Sequence, residues 1–267
     1  MSSSTSNILD AYVNEAPSDA AAIDLFKGEW SSHLPGFPDS LSGKSPLFDD
    51  PRVHGWINRV TKTMPESVAN PSTFKVLELG PLEGGHTAML SKQGWDITGI
   101  ESNSRAFLKC LITANIYRTR AKFLLGSFED YFKNLPSDVI YDFICCSGVL
   151  YHLKKPSETF RRILMHAKSI GIWSHYGSPE LVKNLPGVFS EDTYVDGLSG
   201  QTMMGYKQFY GVALDSNTFC GGGQDYSIWM SKDQILNLLN EYGFSAEIQA
   251  VNDSPSGPNM SIFAKRI

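Results

Sequence analysis

The sequence predicts an α/β fold: a doubly wound, mostly parallel sheet of seven strands ending in an antiparallel hairpin, with an N-terminal helical cap and an insertion after the fifth strand. Three observations predict it. From Phe74 onward, short β-rich runs alternate with amphipathic helical runs, the pattern of a sheet covered on both faces. The first run leads into the glycine turn Gly80-Pro81-Leu82-Glu83-Gly84-Gly85, and the second ends in the acidic residue Glu101. The last two runs are joined by residues 252–259, a connection too short for a helical crossover, so they pair antiparallel.

The predicted strands are Phe74–Leu79, Asp96–Glu101, Lys122–Leu125, Asp142–Cys146 and Ile170–His175, followed by the pair Ala246–Val251 and Met260–Lys265. Between the second and third strands, Asn103 can cap a helix whose apolar stripe is Phe107, Cys110, Leu111 and Ala114. Behind Pro156 the same spacing recurs at Phe160, Ile163, Leu164 and Ala167. Near the C-terminus, Ser231-Lys232-Asp233-Gln234 has capping-box spacing. Ile235, Leu238, Leu239 and Tyr242 supply the apolar face of that helix, and Gly243 can end it. Two segments stand outside the alternation. Residues 1–70 form a cap, with a helical piece over Ala20–Trp30 and a Pro/Gly/Ser-rich stretch from Pro35 to Pro51. Residues 71–267 form the core domain, interrupted at about 177–228 by an insertion rich in Gly, Tyr, Phe and Met. An insertion at that point hangs over the C-terminal edge of the strands, where open α/β sheets bind ligands.

The glycine turn and Glu101 together suit a nucleoside. Glycines admit a ligand close to the backbone, the helix that follows offers free N–H donors, and a carboxylate after the next strand can accept ribose hydroxyls. Alone, Glu101 would equally serve the dipole of the following helix. Composition limits the alternatives. The 267 residues are 42% hydrophobic and 19% charged, with a formal net charge of −5, and the basic residues are scattered, which argues against a nucleic-acid polymer as partner. The cluster Arg118-Thr119-Arg120-Ala121-Lys122 reads as solvated surface. Met1 to Asn7 lack the basic and apolar regions of a secretory signal, and no run reaches membrane-spanning length, so a cytoplasmic protein is expected. Cys110, Cys145, Cys146 and Cys220 have no disulfide-framework spacing; Cys145 and Cys146 read as small apolar fillers of a central strand. The six histidines are dispersed without ligand spacing, so no metal is expected.

The glycine turn, Glu101, the run Gly126-Ser127-Phe128-Glu129-Asp130 and the run from Asp142 through Cys145-Cys146-Ser147-Gly148-Val149-Leu150-Tyr151-His152-Leu153 resemble the class I, Rossmann-like S-adenosylmethionine-dependent methyltransferases. The resemblance covers about residues 70–267, terminal hairpin included. Gly148–Leu153 is also similar to a subgroup containing wobble-uridine tRNA methyltransferases and many small-molecule enzymes, and Asp24–Ser32 looks like a lead-in segment of bacterial members. The resemblance implies S-adenosylmethionine as cofactor, S-adenosylhomocysteine (SAH) as product, and a division of labour along the chain. Glu78, Gly80, Pro81, Leu82, Glu83 and Gly84 would wrap the methionine part, and Glu101, with Ser102 beside it, would hold the ribose diol. Ser127 and Phe128 would meet the adenine; Cys146, Ser147 and Gly148 would pass near the sulfonium and amino group. Leu82 departs from the pattern, since many members carry a second glycine there.

On that footing His152 and His175, at the strand edge that the acceptor approaches, are the candidate general bases; either could instead be a structural histidine. Trp30, Tyr151, Tyr176, Tyr206, Tyr210 and Trp229 are candidate walls of the acceptor pocket, with core packing the competing role. The expected activity is methyl transfer to an oxygen or nitrogen of a small-molecule metabolite or natural product, with no membrane partner; the sequence is compatible with a homo-oligomer. A tRNA-modifying enzyme and a non-catalytic cofactor-binding scaffold stay open. A nicotinamide dehydrogenase is a further competing reading, against which the turn departs from G-x-G-x-x-G.

Overall fold

A computed structural model describes residues 11–215 and 221–267; Met1 to Asn7 and Cys220 lie outside the described residues. The helices are α1 (Asp19–Asp24), α2 (Pro51–Thr63), α3 (Glu66–Ala69), α4 (Gly85–Ser91), α5 (Ser104–Tyr117), α6 (Phe128–Asn134), α7 (Pro156–Met165), α8 (Pro179–Asn184) and α9 (Lys232–Glu241). The strands are β1 (Lys75–Leu79), β2 (Asp96–Glu101), β3 (Ala121–Leu125), β4 (Tyr141–Ser147), β5 (Ala167–His175), β6 (Phe189–Val195), β7 (Thr202–Phe209), β8 (Tyr226–Trp229), β9 (Phe244–Asn252) and β10 (Asn259–Arg266).

Seven strands form one sheet in the order β3-β2-β1-β4-β5-β10-β9. The first five are parallel, while β10 runs antiparallel to both β5 and β9. The predicted doubly wound sheet with a terminal hairpin is therefore present, with each of the seven predicted strands in place. β1 and β4 are buried almost throughout because both sheet faces are covered, and their side chains alternate between two cores. On one face, Ile144 and Cys146 of β4 meet Phe160, Ile163 and Leu164 of α7 and Ile235, Leu238 and Leu239 of α9. On the other, Phe143 and Cys145 meet Val53, Trp56, Ile57 and Val60 of α2 with Met89 and Leu90 of α4. Trp56 lies so flat on β5 that a Cβ at Gly171 would come within 2.5 Å of its ring. Asp50 and Pro51 start α2, with the Asp50 carboxylate accepting from the Arg52 amide. α2 falls inside the stretch expected as a cap, yet it covers one face of the sheet.

Several expectations need correction. The helix expected over Ala20–Trp30 ends at Asp24, and turns lead to Gly28, which has a φ of +80°. On α5 the buried residues are Ala106, Lys109, Cys110 and Thr113, whereas Leu111 is exposed. Hydrophobic spacing misses this face because two of its residues are polar and bond the glycine turn. Ala167 begins β5 rather than extending α7, which ends at Met165. The insertion has a regular structure of its own, an antiparallel sheet in the order β6-β7-β8. It docks through Ile228 N–H to Leu153 O at 2.8 Å and Gly177 N–H to Met230 O at 2.9 Å. The capping box on α9 is complete: the Ser231 side chain accepts from Gln234 N–H, and the Gln234 side chain accepts from Ser231 N–H.

Candidate active site

The C-terminal ends of β1, β2, β4 and β5 open into a cavity of about 750 Å³, within the roughly 300–1,000 Å³ usual for small-molecule sites. One end holds Gly80, Pro81, Leu82, Glu101, Ser102, Ser127 and Phe128; the other holds Ser147, Gly148, Tyr151, His152 and Trp173, with Gly222–Gln224 of the insertion beside them. The cap contributes Glu29, Ser31 and Leu47, and α2 contributes Arg52.

The glycine turn is built by close approach. Gly80 has a φ of +61°, and a Cβ there would lie 2.7 Å from Val149 Cγ1. Leu82 has a φ of +55°. The residue that departs from the family pattern thus keeps the left-handed backbone that glycine favours, at a cost of about 1–2 kcal/mol. The conformation has a purpose: Leu82 N–H donates to Glu101 Oε2 at 2.9 Å, while Asn103 N–H donates to Glu101 Oε1 at 2.8 Å. These bonds occupy one acceptor position on each oxygen, and a carboxylate offers about four in all, so acceptor capacity remains on the cavity wall. Burial raises the Glu101 pKa; the amides of Asn103, Leu82 and Ser102 oppose that shift.

Other expected ligands point elsewhere. Glu78 is buried, accepts from the Thr87 hydroxyl, and has its pKa raised by burial. Glu83, fully buried, turns back to the cap, accepting from Ser31 N–H at 2.9 Å, Ser32 N–H at 2.7 Å and Lys109 Nζ at 3.1 Å. Gly84, with a φ of +74°, is the N-cap of α4 and packs against Thr113. Cys146 is enclosed in the core, where burial raises its thiol pKa, so it makes no part of the cavity wall.

On the acceptor side, Tyr151 and His152 line the cavity, and His152 Nδ1 lies 3.0 Å from Tyr210 Oη. Burial and the neighbouring His175 lower the His152 pKa to about 4. His175 sits behind this wall. Its Nδ1 is 3.1 Å from Pro258 O, its ring stacks on Trp229 at 4.9 Å, and Tyr151 meets it edge-on at 4.8 Å. Burial lowers its pKa as well. Trp229 and Tyr206 pack with Leu181 and Phe189 in the insertion's own core. Trp30 packs with Ile23, Phe26 and Leu34 in the cap, and Tyr176 packs against the α7–α9 face of the sheet. None of His175, Trp30, Tyr176, Tyr206, Tyr210 or Trp229 lines the cavity.

Sequence reasoning missed Arg52, Trp173, Ser31 and Gly222–Gln224. A capped Asp-Pro helix start announces α2, but nothing in the spacing brings Arg52 onto Trp173. One ligand-type cluster was missed too: Glu78, His86 and Cys145 lie on β1, α4 and β4, with potential ligand atoms within 4.8 Å of one another. His86 Nε2 is 3.0 Å from Asp50 Oδ2, and burial holds the Cys145 thiol pKa well above its usual value, so the group as it stands offers no thiolate.

Residues 48–173 match the model of a methyltransferase domain family. The ubiquinone biosynthesis O-methyltransferase of Rickettsia typhi is 26% identical over 101 residues; the match spans 38% of this chain and 39% of that relative's length. Among solved structures, the N-terminal domain of EvdMO1, in the presence of SAH and D-fucose, superposes with a TM-score of 0.62 at 17% identity, covering 92% of this chain and 94% of that one. The magnesium protoporphyrin IX methyltransferase of Synechocystis PCC 6803, with bound SAH, superposes at 0.53 and 12% identity, covering 94% of this chain and all of that one. Among the described residues no helix is long and apolar enough to cross a membrane. The domain match runs from just before α2 through the acidic end of β2 to the Ser147–Gly148 turn and Trp173, so over this stretch the chain is similar to methyltransferase domains, on a fold that the solved structures share.

Proposed function

We propose that the chain transfers the methyl group of S-adenosylmethionine to an oxygen or nitrogen of a small-molecule acceptor. The observation that carries this reading is one cavity lined both by Gly80, Leu82 and Glu101 and by Tyr151, His152 and Trp173, whose size supports a nucleoside and an acceptor held side by side.

The residues present fit the cofactor. Gly80 lines the cavity on a left-handed backbone packed too close to Val149 for any side chain, Glu101 keeps acceptor capacity beside Ser102, and Ser127 caps α6 and Phe128 begins it at the same end. In the proposed arrangement Gly80, Pro81 and Leu82 cradle the methionine portion, Glu101 takes the ribose hydroxyls, and Ser147 and Gly148 border the sulfur. When bound, the cofactor supplies an activated methyl on a sulfonium. The protein's task is then to align the acceptor behind that carbon and to exclude water.

His152 suits the role of proton acceptor. Its pKa, lowered to about 4, keeps it neutral at pH 7 with a lone pair on Nε2 when Nδ1 donates to Tyr210 Oη, and makes it a weaker base than an ordinary imidazole, so the role rests on its position on the cavity wall. Tyr210 thereby acts on the acceptor through His152 rather than by contact. The wall of Tyr151, Trp173 and Leu153 suits an acceptor with an apolar or ring face. The structural neighbours crystallised with D-fucose or named for a porphyrin support a small molecule. A tRNA substrate draws less support, because Arg105 and Lys109 on the cavity wall are already paired with Glu29 and Glu83.

The test is transfer of a labelled methyl group from S-adenosylmethionine to panels of sugars, phenols, porphyrins and amines, with bulk tRNA alongside. Label in a small molecule supports the reading, and label in tRNA alone overturns it. Cofactor binding without transfer to any acceptor would favour a scaffold.

A further inference from the structure

Three lysine and arginine side chains line the cavity, and two of them are committed. Arg105 gives Nε and Nη2 to the Glu29 carboxylate at 2.9 and 2.7 Å, and Lys109 bonds Glu83 and the Glu29 carbonyl. Arg52 is held differently. Its Nε lies 2.9 and 3.0 Å from the two oxygens of Asp50, and its Nη2 also bonds that carboxylate. Asp50 is buried and shared with His86 Nε2 at 3.0 Å, and these donors hold its pKa low despite burial. The guanidinium lies over the Trp173 ring, 4.3 Å from the centroid. It is therefore oriented by a carboxylate on one edge and an aromatic face below, while Nη1 has no hydrogen-bond partner among the described residues.

The position is as telling as the geometry. Trp173 pairs with Ser147 across β4 and β5, and its ring lies beside Gly148, where a Cβ would sit 3.6 Å from Cζ3. Arg52 thus occupies the cavity next to the turn that borders the proposed sulfur position, at the opposite end from Ser127 and Phe128. A carboxylate taken into such a site requires charge-assisted donors, and a guanidinium already locked by Asp50 loses little freedom in supplying them. We propose that Arg52 is the carboxylate-binding residue of the cavity, presenting Nη1 to the carboxylate at the methionine end of the cofactor, with Asp50 and Trp173 as its positioning residues.

The proposal rests on the cofactor reading above and is separable from it. Calorimetry on wild type, Arg52→Gln and Arg52→Lys compares SAH with 5′-methylthioadenosine, which has the adenosine and the sulfur but no carboxylate. Arg52→Gln should weaken SAH about 10–100-fold, or roughly 1.4–2.7 kcal/mol. It should leave methylthioadenosine within twofold, and Arg52→Lys should recover part of the loss. Unchanged SAH affinity overturns the assignment. So does an equal loss for both ligands, which would mark a structural role. A wild-type chain that binds neither ligand fails the cofactor reading first, before any substitution is made, and the assignment falls with it.

Discussion

Glu83 ties the cap to the core, and replacing it tests how the cavity's outer wall is held. Its carboxylate is fully buried, and its three donors are Ser31 N–H, Ser32 N–H and the Lys109 ammonium, whose side chain is 8% exposed. Glu83→Gln keeps the shape but retains one acceptor oxygen and turns an NH₂ toward the remaining donors. Breaking a buried pair by removing one partner costs about 3–5 kcal/mol, a large share of the roughly 5–15 kcal/mol that holds a domain folded. At about 2–4 °C per kcal/mol for a chain somewhat smaller than this one, the midpoint should fall by roughly 6–20 °C. Thermal unfolding measures that fall, and limited proteolysis should show cleavage within residues 26–48 appearing first. Adding Lys109→Met should restore a large part of the loss, because no unpaired ammonium is then left behind. A Glu83→Gln midpoint within 2 °C of wild type would refute the latch.

Leu82 supports a second test. Leu82→Gly should stay within about 1 kcal/mol of wild type, relief of strain offsetting lost backbone entropy, whereas β-branched Leu82→Val should destabilise by about 1–2 kcal/mol in denaturant titrations. Gly171→Ala should cost about 1–3 kcal/mol, because a Cβ meets the rigid Trp56 ring; a neutral result would mean that α2 packs more loosely on β5. The His152 pKa is lowered, so the folded chain binds fewer protons than the unfolded chain between pH 6.5 and about 4. This contribution to stability is present above pH 6.5 and is lost as pH falls through that window. If His152 is the base, the acid limb of kcat should lie below pH 5, and a limb centred at 6.5 would exclude it. Tyr210→Phe should reduce kcat several-fold while leaving SAH affinity unchanged.

The sheet was legible because buried parallel strands and a short terminal connection leave period and length signals in any chain. Glu101 and Gly80 were legible for the same reason, since a turn and a strand end fix their place relative to one another. What escaped depends on contacts between distant segments. Lys109 and Thr113 look like surface residues until Glu83 is seen facing them, so hydrophobic spacing placed the buried face of α5 wrongly. Arg52 reaches the cavity because α2 lies across β5, a placement that no local pattern encodes. Glu83 and Cys146 stand next to cavity residues in sequence, but the turn and the strand alternation direct them into the protein. His175 ends the expected strand, yet Tyr151 stands between it and the acceptor side.

In the proposed function the Gly80–Leu82 turn and Glu101 form the cradle of the methyl donor. Titration calorimetry with SAH on wild type and on Glu101→Gln tests it most directly, because this variant keeps the size of the side chain and removes its charge. The account predicts saturable binding by wild type and a loss of about tenfold or more in the variant, given that hydrogen bonds to a charged group are worth about 1.5–3 kcal/mol each. Absence of SAH binding by the wild-type chain, or equal affinity in the two proteins, would contradict it.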